Sequence, residues 1–145
     1  MSWDIAFWRG RPNMPGHQVL DLLDAGTAVD FVTALDAPAV RAAFVEEYAG
    51  DLRLSDDGAG RVDIQGRGFE GSLRTGDRLF YVMCDWAFAQ DEDLVVKLVR
   101  AGRRAGLTAF DPQSYRIWHA PLTPSAADIA AFDVDDCEIE DSPDE

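Results

Sequence analysis

The residue types that most often carry nucleophilic, redox or metal chemistry are few in this chain: cysteines Cys84 and Cys137, and histidines His17 and His119. A reactive thiol needs a positive neighbour or a helix N-terminus to favour the thiolate. Cys84 is instead followed by Asp85, and Cys137 lies in an acidic run, so both are expected to be inert. The two cysteines form no disulfide framework. The histidines have neither an H-x-x-x-H spacing nor a C-x-x-C partner, so no zinc site is expected. Asp133, Asp135 and Glu138 resemble the start of a calcium loop, but Glu138 stands where the sixth-position glycine is required. The G-x-G fragments Gly58–Gly60 and Gly66–Gly68 do not follow a strand and open a helix, as a phosphate cradle would, and read as turn and bulge glycines. Paired carboxylates occur at Asp56-Asp57 and Asp91-Glu92-Asp93. A loop and a helix N-terminus account for them, and nothing singles out a glycosidase-like acid and base. No catalytic residue, metal or cofactor is therefore expected.

Binding is better represented. Lys97, Arg100, Arg103 and Arg104 form a basic ridge, expected to be a solvated helix face, with a phosphate or an acidic partner as the alternative. Four tryptophans, Trp3, Trp8, Trp86 and Trp118, are more than a core of this size can bury deeply. Trp86 lies in Asp85-Trp86-Ala87-Phe88 beside an acidic helix start, where it would be either an exposed anchor or a lid over the sheet edge. Interfaces favour aromatic anchors rimmed by charge. The candidate partner-binding residues are Asp56, Asp57, Asp85, Trp86, Asp91, Glu92 and Asp93.

The elements that position these residues follow from periodicity. In Asp91–Gln113, Leu94, Val95, Leu98, Val99, Ala101, Gly102 and Ala105 share one arc at about 100° per residue. Acids open this helix, arginines close it, and Gly106 is placed as the left-handed residue after its end. Ser2–Arg9 alternates as a first strand, and the proline- and glycine-rich Gly10–Gly16 is a loop. His17–Gly26 is a short helix, Thr27–Leu35 is ambiguous, and Asp36 or Ala37 opens a second helix with Pro38 at its first position. That helix ends at Gly50, with Glu46 and Glu47 expected in solvent. Ser55–Gly60 is a loop, and Arg61–Gln65 is a strand interrupted at Gly66–Gly68, read as a bulge. Phe69–Leu73 and the apolar Leu79–Cys84 form a hairpin about Thr75–Asp77. Leu107–Phe110 is a buried strand, Ser114–His119 alternates as another, and Ala126–Phe132 reads as one or two helical turns.

This order predicts an α+β fold with a single antiparallel sheet and helices on one face, β-α-β-β-α-β (ferredoxin-like) or a close variant. The last strand has the alternative of a hairpin with the one before it. A length of 145 residues with 47% apolar content suits one domain, assigned to 1–132. Residues 133–145 hold eight acids and no base and read as an acidic flexible tail. The remaining 19 acids and 13 bases leave the body at −6 of the total −14. Such a charge argues against nucleic acid and for a basic protein partner. No run approaches the roughly 20 apolar residues of a membrane span. Asp4 and Arg9 interrupt the N-terminal apolar run, so no signal peptide is expected and the cytoplasm is the expected compartment.

The first strand and the segment after the long helix also carry a resemblance. Ser2, Asp4, Ile5, Phe7 and Trp8, then Gly106, Leu107, Phe110, Asp111, Pro112 and Gln113, are similar to motifs of a group of small bacterial proteins. That group has an S-x-D-[apolar]-x-[aromatic]-W strand and a closing G-L-x-x-[aromatic]-D-P-Q. Some of its members resemble immunity proteins of bacterial toxin systems. The motifs are structural and bring no catalytic residues with them. The resemblance implies a non-enzymatic protein that masks a basic toxin domain. The alternatives are a small-ligand-binding or regulatory module using the sheet face or the Arg100/Arg104 ridge, and a carboxylate-dependent hydrolase.

Overall fold

A strand with apolar side chains on both faces belongs in the middle of a sheet covered from both sides. β1, Trp3–Arg9, is such a strand, with Ile5 and Phe7 buried on one face and Ala6 and Trp8 on the other. The computed structural model describes residues 3–121 together with 138–139. After β1 come α1 (Gly16–Asp24), α2 (Ala37–Tyr48), β2 (Arg53–Asp56), β3 (Arg61–Gly66), β4 (Phe69–Arg74) and β5 (Phe80–Cys84). The short α3 (Trp86–Ala89), α4 (Glu92–Arg104), β6 (Leu107–Asp111), β7 (Arg116–Trp118) and β8 (Glu138–Ile139) complete the chain. The strands form one sheet in the order β2-β3-β4-β5-β1-β6-β7-β8, every neighbouring pair antiparallel. The fold is α+β with a single antiparallel sheet, and β7 does make the hairpin with β6.

The helices do not all lie on one face. α2, α3 and α4 cover the face of Ile5 and Phe7, joining Val62, Ile64, Leu73, Phe80 and Val82 in one core. α1 and the 27–35 segment cover the opposite face, where Val19, Leu20, Val29 and Val32 pack on Ala6, Trp8, Phe110 and Ile117. The reason is β1 itself: Trp8 and Ala6 need an apolar cover as much as Phe7 does. The ambiguous Thr27–Leu35 stretch is an irregular strap, fixed where Thr33 N–H donates to the Arg9 carbonyl (3.0 Å) and Leu35 N–H to the Asp77 carbonyl.

Two more local readings change. Arg53–Asp56, part of which was expected to be loop, is the edge strand β2, because Leu54 pairs opposite Ile64 and tertiary pairing outweighs poor strand propensity. Gly66–Gly68 is no bulge: Gly66 pairs with Phe69, and Arg67-Gly68 is the two-residue connection of the β3–β4 hairpin. Gly68 has φ +90°, a conformation that favours glycine.

α4 forms as expected. Asp91 is its N-cap, accepting from the Asp93 and Leu94 N–H groups (3.1 and 3.3 Å), and Gly106 follows its end at φ +78°. The basic ridge is not a solvated face, however. Arg104 pairs with Glu46 and Glu47 (3.1 and 2.9 Å), Arg100 reaches Glu47 (3.6 Å), and Lys97 Nζ lies 4.9 Å above the Tyr48 ring. Arg103 is buried and donates to the His119 carbonyl. α2 packs beside α4, so the ridge faces α2, and the side chain of Glu47 is buried rather than wet.

Residues 138–139 fall within the acidic segment read as a tail and pair with β7 at the sheet edge. Ala126–Phe132 lies outside the described residues. No helix of the described residues is long and apolar enough to cross a membrane.

Candidate functional site

The nine-residue α1 covers the β1-β6-β7 side of its face of the sheet and reaches β5 only at its end, where the Tyr81 hydroxyl donates to the Asp24 carboxylate (2.6 Å). Beyond that contact, no helix among the described residues packs on the β3, β4 and Met83 side of the same face. Alternation sends Arg61, Asp63 and Gln65 of β3, Glu70, Ser72 and Arg74 of β4, and Tyr81 and Met83 of β5 to this open side. All are exposed or half-buried. Their partners on the other face, Val62, Ile64, Phe69, Leu73, Phe80 and Val82, are buried.

Where β5 runs into α3, the open face becomes a groove of about 440 Å³ whose lining includes Gln65, Glu70, Met83, Cys84, Asp85 and Trp86. A second hollow of about 520 Å³ shares Gln65, Glu70 and Met83 and continues to Arg61 and Tyr81. Trp86 is 53% and Met83 49% exposed. They are two of only four large apolar side chains that are exposed among the described residues, and they line the same groove. Trp86 is not loose: its ring meets Trp3 edge-on at 5.7 Å, and Trp3 Nε1 donates to Asp111 Oδ2 (3.0 Å). Asp111, 5% exposed, also accepts from Gln113 N–H (3.0 Å) and the Ser114 hydroxyl (2.8 Å). The two motifs behind the resemblance are therefore sheet neighbours, with Ala6 opposite Phe110 and Trp8 opposite Thr108.

The seven sequence-predicted contact residues divide between two places. Asp85, Trp86, Asp91, Glu92 and Asp93 are close in sequence around the starts of α3 and α4. Asp56 and Asp57 sit at the β2–β3 turn. Asp56 is opposite Val62, and the groove is reached beyond Gln65 at the other end of β3, so they are not part of the same patch. Each has a local role: Asp56 Oδ1 accepts from Gly58 N–H (2.7 Å), and Asp57 Oδ1 from the Ala59 and Arg61 N–H groups (2.8 and 3.1 Å). These last two bonds, Ala59 first, hold the Asp57 carboxyl below its ordinary range. Within the larger cluster, Asp91 is used as the α4 cap, and Glu92 takes both ends of the Arg116 guanidinium (2.6 and 3.2 Å). Asp85 and Asp93 make no ion pair among the described residues, and the same is true of Asp4 and Glu70.

Asp4, Gln65, Glu70 and Met83 escaped the sequence reading as site residues. The one signal was that Met83 falls on the outward position of an apolar strand. What those positions face depends on strand order and on how far α1 reaches.

The thiol next to the groove behaves as expected. Burial, then the charges of Asp4, Asp111 and Asp85, push Cys84 up to about 12, the opposite of an activated nucleophile. His17 lies against Tyr115 at 6.0 Å. No group of three or more His, Cys, Asp or Glu among the described residues is arranged to hold a metal ion.

Comparison with protein-family models, with curated proteins and with solved structures finds no match for this chain.

Proposed function

We propose that this chain is a non-enzymatic binding protein, and most concretely an immunity protein that neutralises a basic bacterial toxin domain in the cytoplasm by covering it. The observation that carries this reading is the groove at the β5–α3 junction. Trp86 and Met83 are exposed together there, in the company of carboxylates, Glu70 and Asp85, that have no cationic partner among the described residues. An amphipathic aromatic anchor with a charged surround is the anatomy of an interaction hot spot. The body's negative charge supplies long-range attraction to a basic partner. Asp85, Trp86, Asp91, Glu92 and Asp93 form the contact patch, and Asp56 and Asp57 contribute at a distance through the field.

The test begins with the neighbouring genes, where this reading expects a toxin with a basic domain, and uses that domain as the partner. Asp91 caps a helix and Glu92 is paired, so Asp85→Lys with Asp93→Lys is the cleaner charge reversal. It is expected to slow association at least tenfold at low salt and to flatten the salt dependence. Unchanged kinetics would remove this patch from the interface.

A second reading, a small anionic ligand, shifts from the Arg100/Arg104 ridge, whose guanidinium groups Glu46 and Glu47 engage, to the cleft at its Arg104 end. It is favoured by a cleft of about 660 Å³ whose lining includes Arg9, Arg11, Phe31 and Pro121. Phe31 is exposed and held at φ +69°. A rise in melting temperature with anionic metabolites that is lost in Arg9→Ala/Arg11→Ala would support it; no rise with any of them would dismiss it.

A further inference from the structure

The antiparallel register places four side chains in one row across the face that no helix of the described residues covers: Gln65 opposite Glu70, Glu70 opposite Met83, and Met83 opposite Asp4. Directly opposed residues point to the same side of a sheet, and neighbouring strands are about 4.8 Å apart. Glu70 and Asp4 therefore stand about 10 Å apart with the Met83 thioether between them. Asp85 and Trp86 close the end of this row, because β5 runs directly into α3. None of the three carboxylates has an ion pair among the described residues, and Asp4 Oδ1 is closed off from solvent with no donor on it. Arg67, at the tip of the β3–β4 turn, is the nearest base in sequence to Glu70 and pairs with none of them.

An apolar floor, an aromatic wall and several unpaired carboxylates fit one kind of occupant. A lysine or arginine side chain has an apolar stem that covers hydrophobic surface and a cationic head that seeks carboxylates and aromatic faces. A neutral apolar side chain would leave Glu70 and Asp85 to be desolvated without compensation. An acidic one would be repelled.

We propose that the open face of β4 and β5 is part of the interface, and that it receives one lysine or arginine side chain of the protein partner. The stem lies on Met83, the cation rests against the indole of Trp86, and Glu70 and Asp85 supply the counter-charge. This rests on the binding reading above and extends it onto the sheet, to Glu70 and Met83.

The experiment uses the full chain with labelled methionine methyls and tryptophan indoles, followed by NMR. The probes are a capped pentapeptide bearing two arginines, its lysine counterpart, and its isosteric neutral citrulline counterpart. The cationic peptides are expected to move the Met83 methyl and the Trp86 indole signals together, while the citrulline peptide leaves both in place. Glu70→Gln and Trp86→Ala, both at exposed positions, should each weaken the effect about fivefold, the scale of one exposed charge or cation–π contact. Equal binding of the citrulline peptide, shifts confined to other acids such as Asp56 and Asp57, indifference to Glu70→Gln, or self-association of the chain through this face would each overturn the proposal. The failures are separable from those of the functional reading. A chain that neutralises a toxin but ignores these peptides loses the groove proposal alone; one that binds the peptides but fails to neutralise loses the immunity reading alone.

Discussion

Asp111 joins the fold to the candidate site, and its replacement has a calculable outcome. One carboxylate, almost fully buried, accepts three hydrogen bonds: Trp3 Nε1–H and the Ser114 hydroxyl on Oδ2, and Gln113 N–H on Oδ1. Hydrogen bonds to a charged acceptor contribute about 1.5–3 kcal/mol each. Asp111→Asn keeps the shape and the Oδ1 acceptor. Its amide N–H groups then face Trp3 Nε1–H and Ser114; the serine hydroxyl can turn and accept, but the indole cannot. The expected loss is about 2 kcal/mol, the cost of one charged bond replaced by a donor facing a donor. Asp111→Ala orphans all three donors and leaves a small void, for about 3–5 kcal/mol. For a domain of this size, with about 4 °C per kcal/mol, the melting temperature should fall by about 8 °C for Asn and by about 12–20 °C for Ala. Urea unfolding followed by tryptophan fluorescence measures both. Trp3 is the inner partner of Trp86, so the Asn variant should also change the Trp86 indole signal without any ligand. An Asn variant within 0.5 kcal/mol of the parent would show that the carboxylate does not hold this corner, and that Trp86 is not positioned through it.

Two further perturbations test the core. Gly102→Ala would set a Cβ 2.4 Å from the buried Phe7 ring, which Phe80 and Phe44 hem in at 5.9 and 6.4 Å. Overpacking of about 1–3 kcal/mol outweighs the gain of about 1 kcal/mol in helix propensity, so a melting temperature lower by about 5 °C is expected, and a rise would refute the packing. Cys84 moves from its ordinary 9.0 to about 12, so a Cys137→Ser variant at pH 8 should resist alkylation when native and react in urea; rapid native labelling would contradict this. The raised value means that the unfolded thiol loses its proton first. Its contribution to stability is therefore complete below pH 9 and is lost as pH climbs toward 12, with Tyr48 and Tyr81, both raised chiefly by burial, acting in the same sense. The urea midpoint should fall between pH 8 and pH 10.5.

Much of the architecture was legible because local signals were strong. Asp91, Gly106 and the apolar arc of α4 mark that helix in the sequence, although Val96 and Arg103 are also buried and Leu94 is exposed. The errors came from partners that periodicity does not name. Arg100 and Arg104 read as solvated because the sequence does not say that α2 lies beside them with Glu46 and Glu47. β2 read partly as loop because Arg53–Asp56 has strand character only through its pairing with β3. Helices were expected on one face only, because the cover over Ala6 and Trp8, α1 and the irregular 27–35 strap, is not named by the periodicity of β1. The candidate site was half legible. Asp85 and Trp86 stood out by composition and do line the groove, whereas Glu70, Met83 and Asp4 come together only through the register of three strands. Asp56 and Asp57 looked equivalent to the other acids in sequence, and strand direction puts them at the far end of β3.

The central claim is that this chain works by covering a basic protein. The most direct measurement is growth of cells expressing a basic toxin domain taken from this chain's gene neighbourhood, with the chain supplied as wild type, as Asp85→Lys/Asp93→Lys, or as Trp86→Ala. Full rescue by wild type, with rescue reduced in both variants at equal soluble expression, is the predicted result. Absence of rescue by the wild-type chain, or rescue that both variants deliver undiminished, would contradict the account.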